Sequence, residues 1–314
     1  MPKTTPVTRA VITAAGRGTR QYPATQTLQK EMIPLVDRDG VCKPALQIIV
    51  EEAVAAGIER ICLVVQPGAE ILLQQHFRGL TAEERAAYAN KPEVLAQAEK
   101  LAALGERISY AVQPTPEGYG HAVYCAREFI GNQPFLLMLG DHVYTSAESR
   151  PCARQLLDAF ERTGAPLSGV ALTPEAELHN FGTVTGTPLA GAEGVWETTA
   201  IYEKPTPEYA RVHLATSGVP AGQYLCFFGM HVFTPDIFDC LAELITGDQR
   251  ERGEFQMTSA QELLRRRRRY LAVEVHGRRH DLGVPEGLVE TQVALALRSP
   301  YGEVVRQACR EEEL

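Results

Sequence analysis

Residues 10–34 read AVITAAGRGTRQYPATQTLQKEMIP. Gly16 and Gly18 stand two apart, directly after an apolar, β-branched run from Ala10 to Ala15. Glycines so placed let the chain turn sharply and bring its backbone N–H groups close to a ligand. A run of N–H groups in such a turn makes an anion-binding concavity. Arg20 and Lys30 add full positive charge within reach of the same loop. Together these parts describe a cradle for a polyphosphate. The loop is not a Walker A loop, which needs a Gly-Lys-Ser/Thr ending. Nor is it the dinucleotide fingerprint, because no third glycine follows three residues after the second. A turn alone does not need the longer pattern, Gly-x-Gly-Thr-Arg-x-x-Pro-x-Thr followed by Lys30 and Pro34.

Three further places could do chemistry. Gln113, in the loop Val112-Gln-Pro-Thr-Pro-Glu-Gly118, has an amide donor and an acceptor, enough to read a pyrimidine edge. Gly118 would let backbone approach a flat base, and His121 reads as a helix-start residue. Asp141 ends an apolar run, Pro134 to Gly140, where a carboxylate is well placed to hold Mg²⁺, a hard cation that wants oxygen ligands. Glu203 can take two hydrogen bonds from vicinal hydroxyls, and Lys204 beside it can meet a phosphate. Neighbours on a strand point to opposite faces, so a local distortion near Pro205 is required if both serve one site. On residue type alone the same features also suit an ordinary loop, a capping aspartate and a surface ion pair.

These residues need a scaffold. Ala10–Ala15 is expected as a buried strand. Leu46, Ile49, Val50 and Ala53 have helical spacing over Ala45 to Ala56, and Gly57 stops that helix. Ile61 to Val65 is a second apolar strand. Strand, helix and strand at this spacing predict a right-handed parallel crossover. The expected fold is α/β: a Rossmann-like mixed, mainly parallel sheet flanked by helices, with ligands at the carboxyl ends of the strands. Further helices are expected over 81–104, 151–162 and 235–244, and from Ser259 and Leu288. Strands are expected over 107–112, 168–173, 223–233 and 271–275, with a hairpin over Thr185 to Thr199.

The glycine loop, with Lys30-Glu-Met-Ile-Pro-Leu-Val-Asp37, resembles the signature of the sugar-1-phosphate nucleotidylyltransferases, and within them the bacterial UTP–glucose-1-phosphate uridylyltransferases. Later matches extend the resemblance over most of the chain. They are Gly118-Tyr-Gly-His-Ala-Val123, Gly140-Asp141, Phe181-Gly182, Glu203-Lys204-Pro205, Gly253-Glu-Phe-Gln-Met-Thr258 and Asp281-Leu-Gly-Val-Pro-Glu-Gly287. The resemblance implies one nucleotidyltransferase domain: a nucleotide-binding half over about 1–145, a sugar-binding half over about 146–297 and a C-terminal tail, 298–314. It implies that Ala14, Ala15, Gly16, Gly18, Thr19, Gln113 and Gly118 bind the nucleotide. It gives Arg20, Lys30 and Lys204 to catalysis, and His142, Gly182, Glu203 and Lys204 to the sugar. Asp141 and Asp281 would hold Mg²⁺. The implied reaction joins UTP to glucose 1-phosphate, giving UDP-glucose and pyrophosphate, in a cytoplasmic homo-oligomer. His142 stands where relatives have Asn or Val, and residues 38–42 are an insertion. The Gln113–Gly118 loop is also close to the thymidylyl version. A thymidylyltransferase, a uridylyltransferase for another hexose phosphate and a non-catalytic nucleotide-sugar-binding regulator therefore stay as alternatives.

The bulk composition agrees. The chain has 314 residues, 45% hydrophobic and 22% charged, with a formal net charge of −8. Nothing here drives general attraction to nucleic acid or anionic membrane. Arg265 to Arg269 is the exception, and an RNA-binding reading rests on that run alone. No apolar run approaches the ~20 residues of a membrane helix, and the N-terminus lacks a signal-peptide core. The seven cysteines are scattered and never spaced Cys-x-x-Cys, which points to reduced thiols.

Overall fold

Ala10, Val11, Ile12 and Ala14 have no solvent exposure. A strand buried on both faces belongs inside a sheet covered by helices. β1 (Arg9–Ala14) takes that place in the computed structural model, which describes residues 5–312. β2 (Pro34–Val36) and β3 (Cys42–Pro44) form a small antiparallel hairpin, and the 38–42 insertion supplies its turn and the first residue of β3. Then come β4 (Arg60–Val65), β5 (Ile108–Val112), β6 (Phe135–Leu139), β7 (His142–Ser146), β8 (Leu167–Pro174), β9 (Gly182–Pro188), β10 (Val195–Glu203), β11 (Gln223–Phe233), β12 (Leu271–Glu274) and β13 (Gly277–Asp281).

The main sheet runs β5-β4-β1-β6-β11-β8-β12-β10-β9. Its first four strands are mutually parallel. β11 is antiparallel to both β6 and β8, and β10 is antiparallel to β12 and β9. β12 runs parallel to β8. β9 also pairs back onto β11, so strands 11, 8, 12, 10 and 9 close into a ring. The mixed, helix-flanked sheet agrees with expectation, with its parallel strands concentrated in the first half.

Helices cover both faces. Leu46 and Ile49 of helix Ala45–Ala55 pack on one side with Leu156 and Phe160 of helix Cys152–Thr163. Val123 of Tyr119–Cys125, Leu241 of Asp236–Thr246 and Leu264 of Met257–Arg267 pack on the other. Each such fully buried side chain contributes about 1.5–3 kcal/mol.

Among the differences from expectation, three stand out. The helical stretch 81–104 is two helices, Ala82–Ala87 and Pro92–Gly105. Pro92 lacks an N–H and can only start a helix; Thr81 and Glu84 form a capping box on the first. The helices expected from Ser259 and Leu288 begin at Met257 and Pro285. β7 and β13, unforeseen from sequence, pair only with each other as an antiparallel ribbon. Beyond them lie helices Pro285–Ala296 and Gly302–Glu312. No helix among the described residues is long and apolar enough to cross a membrane.

Candidate active site

β1 delivers the chain into the glycine loop, and side chains tie that loop down. Thr25 Oγ1 donates to the Gly18 carbonyl at 2.9 Å, and Gln29 Nε2 to that of Ala14 at 3.0 Å. Gln66 Nε2 reaches the Gly16 carbonyl at 3.3 Å. Gly18 has φ +64°, and a Cβ there would stand 2.8 Å from Thr25 Cγ2. At Gly16 a Cβ would lie 3.0 Å from Lys30 Nζ and 3.3 Å from its Cε. Gly18 is needed for its backbone conformation, while a side chain at Gly16 would crowd the Lys30 ammonium.

Lys30 Nζ bonds Asp141 Oδ2 at 2.6 Å and lies 3.7 Å from Glu31 Oε1. Burial works against the ammonium, but Asp141 and Glu31 outweigh it and raise its pKa. Burial also opposes the Asp141 carboxylate. His142, whose Nδ1 is 3.1 Å from Asp141 Oδ1, and Lys30 more than offset this and hold the group ionised, below the usual carboxylate range. Burial pushes the Glu31 carboxyl up to about 8, with the Lys30 ammonium opposing.

The β7–β13 ribbon completes this centre. Its register sets Asp281 opposite His142. Ligand atoms of Asp141, His142 and Asp281 all lie within 4.8 Å of one another, with two carboxylates among them. That donor set fits a hard divalent cation. Asp281 Oδ1 accepts from the Gly283 N–H at 2.7 Å. A Cβ on Gly283 would stand 2.7 Å from an Arg20 nitrogen, 2.8 Å from Asp281 Oδ1 and 3.0 Å from Asp141 Oδ2. Arg20 thus converges on both carboxylates. Gln21 Nε2 donates to the Leu282 carbonyl at 2.5 Å, fixing the glycine loop to this segment across 261 residues of sequence.

A cavity of about 500 Å³ opens beside the centre. Ala15, Gly16, Thr19, Lys30, Gln113, Gly118 and Asp141 line it, together with Arg17, Tyr119 and Glu254. Gln113 Nε2 donates to the Gly118 carbonyl at 3.0 Å and lies 3.3 Å from His121 Nδ1, which leaves its amide oxygen for a ligand donor. Gly118 has φ +110°, and a Cβ there would meet Glu254 Cβ at 2.7 Å and Phe255 backbone at 2.9 Å. A neighbouring chain segment therefore also requires glycine here, at a residue that lines the cavity. His121 lies in the first turn of its helix, as expected. The Tyr119 hydroxyl is buried without a hydrogen-bond partner.

Gly182, Glu203 and Lys204 form a second cluster that lines none of this cavity. Gly182 pairs with Glu203 across β9 and β10, and a Cβ on Gly182 would be 3.1 Å from Glu203 Oε2. Burial raises the Glu203 carboxyl, with Lys204 opposing. Lys204 has φ +49°, and its N–H donates to the Phe181 carbonyl at 3.2 Å. Lys204 stands just past the end of β10, where its positive φ departs from strand geometry. Of the remaining expected residues, Ala14 is buried at the end of β1 and lines no part of the cavity. Sequence reasoning passed over Glu31, Gln21, Thr25, Tyr119 and Gly283. Gln21, Thr25 and Glu31 lay inside the stretch already singled out and Gly283 inside the Asp281–Gly287 match, but what they touch did not show there, since Gln21 meets Leu282 and Gly283 borders Arg20 and Asp141.

A family model described as nucleotidyl transferase matches residues 9–297. The UTP–glucose-1-phosphate uridylyltransferase of Bacillus subtilis (strain 168) is 38% identical over 293 residues, 93% of this chain and 92% of the relative. A crystal structure of UDP-glucose pyrophosphorylase complexed with UDP-glucose superposes with a TM-score of 0.71 at 29% identity, covering 92% of this chain and 98% of the other. The UTP-bound UGPase from Acinetobacter baumannii gives 0.79 at 25% identity, covering 97% and 99%. With the glycine loop, the paired carboxylates and the mixed sheet all in place, the chain belongs to the nucleotidyl transferase family, and its similarity there runs to the UTP–glucose-1-phosphate uridylyltransferases.

Proposed function

We propose that the protein joins UTP to α-D-glucose 1-phosphate, releasing pyrophosphate and forming UDP-glucose. The observation that carries this is the match, over 93% of the chain, to a UTP–glucose-1-phosphate uridylyltransferase. The sugar phosphate is already an oxyanion, so no general base is required. Its oxygen attacks the α-phosphorus of UTP, and the bond to the bridging oxygen of the β-phosphate breaks, with the electron pair leaving on pyrophosphate. The obstacle is bringing two anions together, and transfer of this kind depends on positioning and charge neutralisation.

Each residue has a part in that task. The amides of Gly16 to Thr19, with Arg20 and Lys30, hold the triphosphate and the departing pyrophosphate; Ala14 and Ala15 bring the loop to it. The Gln113 amide oxygen accepts from the imide N–H of uracil, and Gly118 keeps that loop closed. Gly182, Glu203 and His142 hold the hexose, and Lys204 meets its phosphate. Asp141 and Asp281 would hold Mg²⁺, and Lys30 would pass from Asp141 to the phosphates. When bound, the cation supplies charge neutralisation at the α-phosphate and the sugar phosphate. Nucleotide residues fall mainly in about 1–145 and sugar residues in about 146–297, with 298–314 as a tail; Glu254 and Asp281 reach back across that division. Free cysteines throughout support a cytoplasmic setting.

The test is pyrophosphate release with Mg²⁺ and glucose 1-phosphate, with UTP, dTTP, ATP, CTP and GTP each offered in turn. Release chiefly with UTP is expected. Preference for dTTP would move the protein to the thymidylyl branch, and nucleotide binding without release from any hexose phosphate would make it a binding protein.

A further inference from the structure

Arg279 is a cation to which the reaction above gives no part. It lies on β13 two residues before Asp281, and so on the same face of that strand. Among the described residues no carboxylate oxygen lies within 4.0 Å of it. Instead Nη1 donates to the Phe227 carbonyl, and the guanidinium lies over the Phe181 ring, 3.6 Å from its centroid. Burial lowers its pKa, while Glu177 and Asp281 act on it only through space. A partly buried charge without a counter-ion costs stability. A residue that breaks such a local rule is where function is to be looked for.

Its two partners meet at one point. Phe181 precedes Gly182, and a Cβ on Gly182 would stand 2.7 Å from Cδ2 and 3.0 Å from Cε2 of the Phe227 ring. The same point lies 3.1 Å from Glu203 Oε2. The Phe181 carbonyl also accepts from Lys204 N–H, at the residue with positive φ. Arg279 therefore ties the turn to β11, stacking on Phe181 of the turn and donating to the carbonyl of Phe227 on the strand whose ring packs against Gly182. Its strand ends in a carboxylate of the candidate cation site.

We propose that Arg279 is a positioning residue for the hexose phosphate: it holds the Phe181–Gly182 turn and Glu203 at a fixed place relative to Asp281. This rests on the reading of Gly182 and Glu203 as sugar contacts. Only a planar guanidinium can stack on a ring and donate sideways at once, so lysine does not replace it.

The experiment compares the full-length protein with Arg279→Met, Arg279→Lys and Phe181→Leu. Initial rates are taken with UTP and glucose 1-phosphate varied separately, and thermal unfolding is followed with UDP-glucose or UTP added. In Arg279→Met and Arg279→Lys the KM for glucose 1-phosphate should rise about 10-fold or more while that for UTP stays within about 2-fold, the signature of misplaced sugar contacts. The stabilisation given by UDP-glucose should shrink and that given by UTP should persist. Phe181→Leu should reproduce the pattern, and the double variant Arg279→Met/Phe181→Leu should be no worse than either single one. Wild-type kinetics in Arg279→Lys would overturn the proposal, as would a parallel rise of both KM values. Absence of pyrophosphate release by the wild-type protein would instead overturn the reading of the site, before any variant is compared.

Discussion

Lys30 shows how one side chain is set by several neighbours. Gly16 makes room for it, Asp141 binds it at 2.6 Å, and Glu31 stands 3.7 Å away. Removing one member of a partly buried pair leaves an uncompensated charge, at a cost of about 3–5 kcal/mol where burial is complete. Asp141→Asn keeps shape while removing charge, and is the companion to Asp141→Ala. Either Asp141 variant, or Lys30→Ala, should lower turnover by more than ~10², the scale for losing a preorganised charge stabiliser, while cooperative thermal unfolding persists. A variant with near wild-type turnover would remove that residue from the mechanism. Gly16, Gly18, Arg20 and Lys30 were legible because they share one short segment. Glu31 was in view there, but a pKa near 8 depends on burial, which residue order does not give.

At the level of elements, the β7–β13 ribbon and the seam between β8, β11 and the Met257–Arg267 helix matter most. The ribbon places Asp281 beside His142 through its register. In the seam, Gln261 Nε2 lies within hydrogen-bond distance of Ser168 Oγ, His231 Nδ1 and Tyr270 OH, all buried. Burial lowers the His231 pKa to about 3. The native state therefore keeps His231 neutral, while the unfolded chain takes up a proton near pH 6.5. Below that pH the unfolded state binds more protons, so stability falls as pH drops from about 6.5 toward 3. His231→Gln should flatten this part of the stability–pH curve, measured by urea unfolding at pH 7 and pH 4.5. An unchanged slope would show that other groups govern acid unfolding. Neither ribbon strand was legible: His-Val-Tyr-Thr-Ser and Gly-Arg-Arg-His-Asp carry no clean alternation, and each exists only because the other is beside it.

For the whole molecule, the question is where an acidic chain keeps its positive charge. The five arginines of 265–269 are all engaged: Arg265 and Arg266 with Glu262, Arg267 with Glu243, Arg268 with Asp236 and Arg269 with Glu197. Exposed pairs of this kind each contribute about 0–1 kcal/mol. They fix a helix end to its neighbours and set four carboxylates against the five charges of the run. The protein should show no retention on single-stranded RNA at 0.1 M salt, and Arg266→Ser with Arg268→Ser should change nothing there. Retention that falls with salt would restore the RNA-binding reading. Arg20, Lys30 and Arg279 lie instead around the carboxylate centre and the Phe181–Gly182 turn.

Residue order alone determined the strand-loop start, the crossover that follows it, the Gln113–Gly118 loop and the Glu203-Lys204 pair, because each is a local pattern of residue types. That Glu203 and Lys204 could serve one site only with a local distortion was also deducible from strand alternation, and Lys204, just past β10, has a positive φ. Tertiary structure decided what joins these pieces. Gln21 meets Leu282, Arg20 borders Gly283 beside Asp141 and Asp281, and Gly118 closes on Glu254 and Phe255. Arg279 reaches the turn of Phe181 and Phe227 in the same way. These contacts bring together segments tens to hundreds of residues apart, and sheet order and register set them. No short window of sequence contains both partners, so the centre's geometry, its burial and its charge balance exist only in the folded chain.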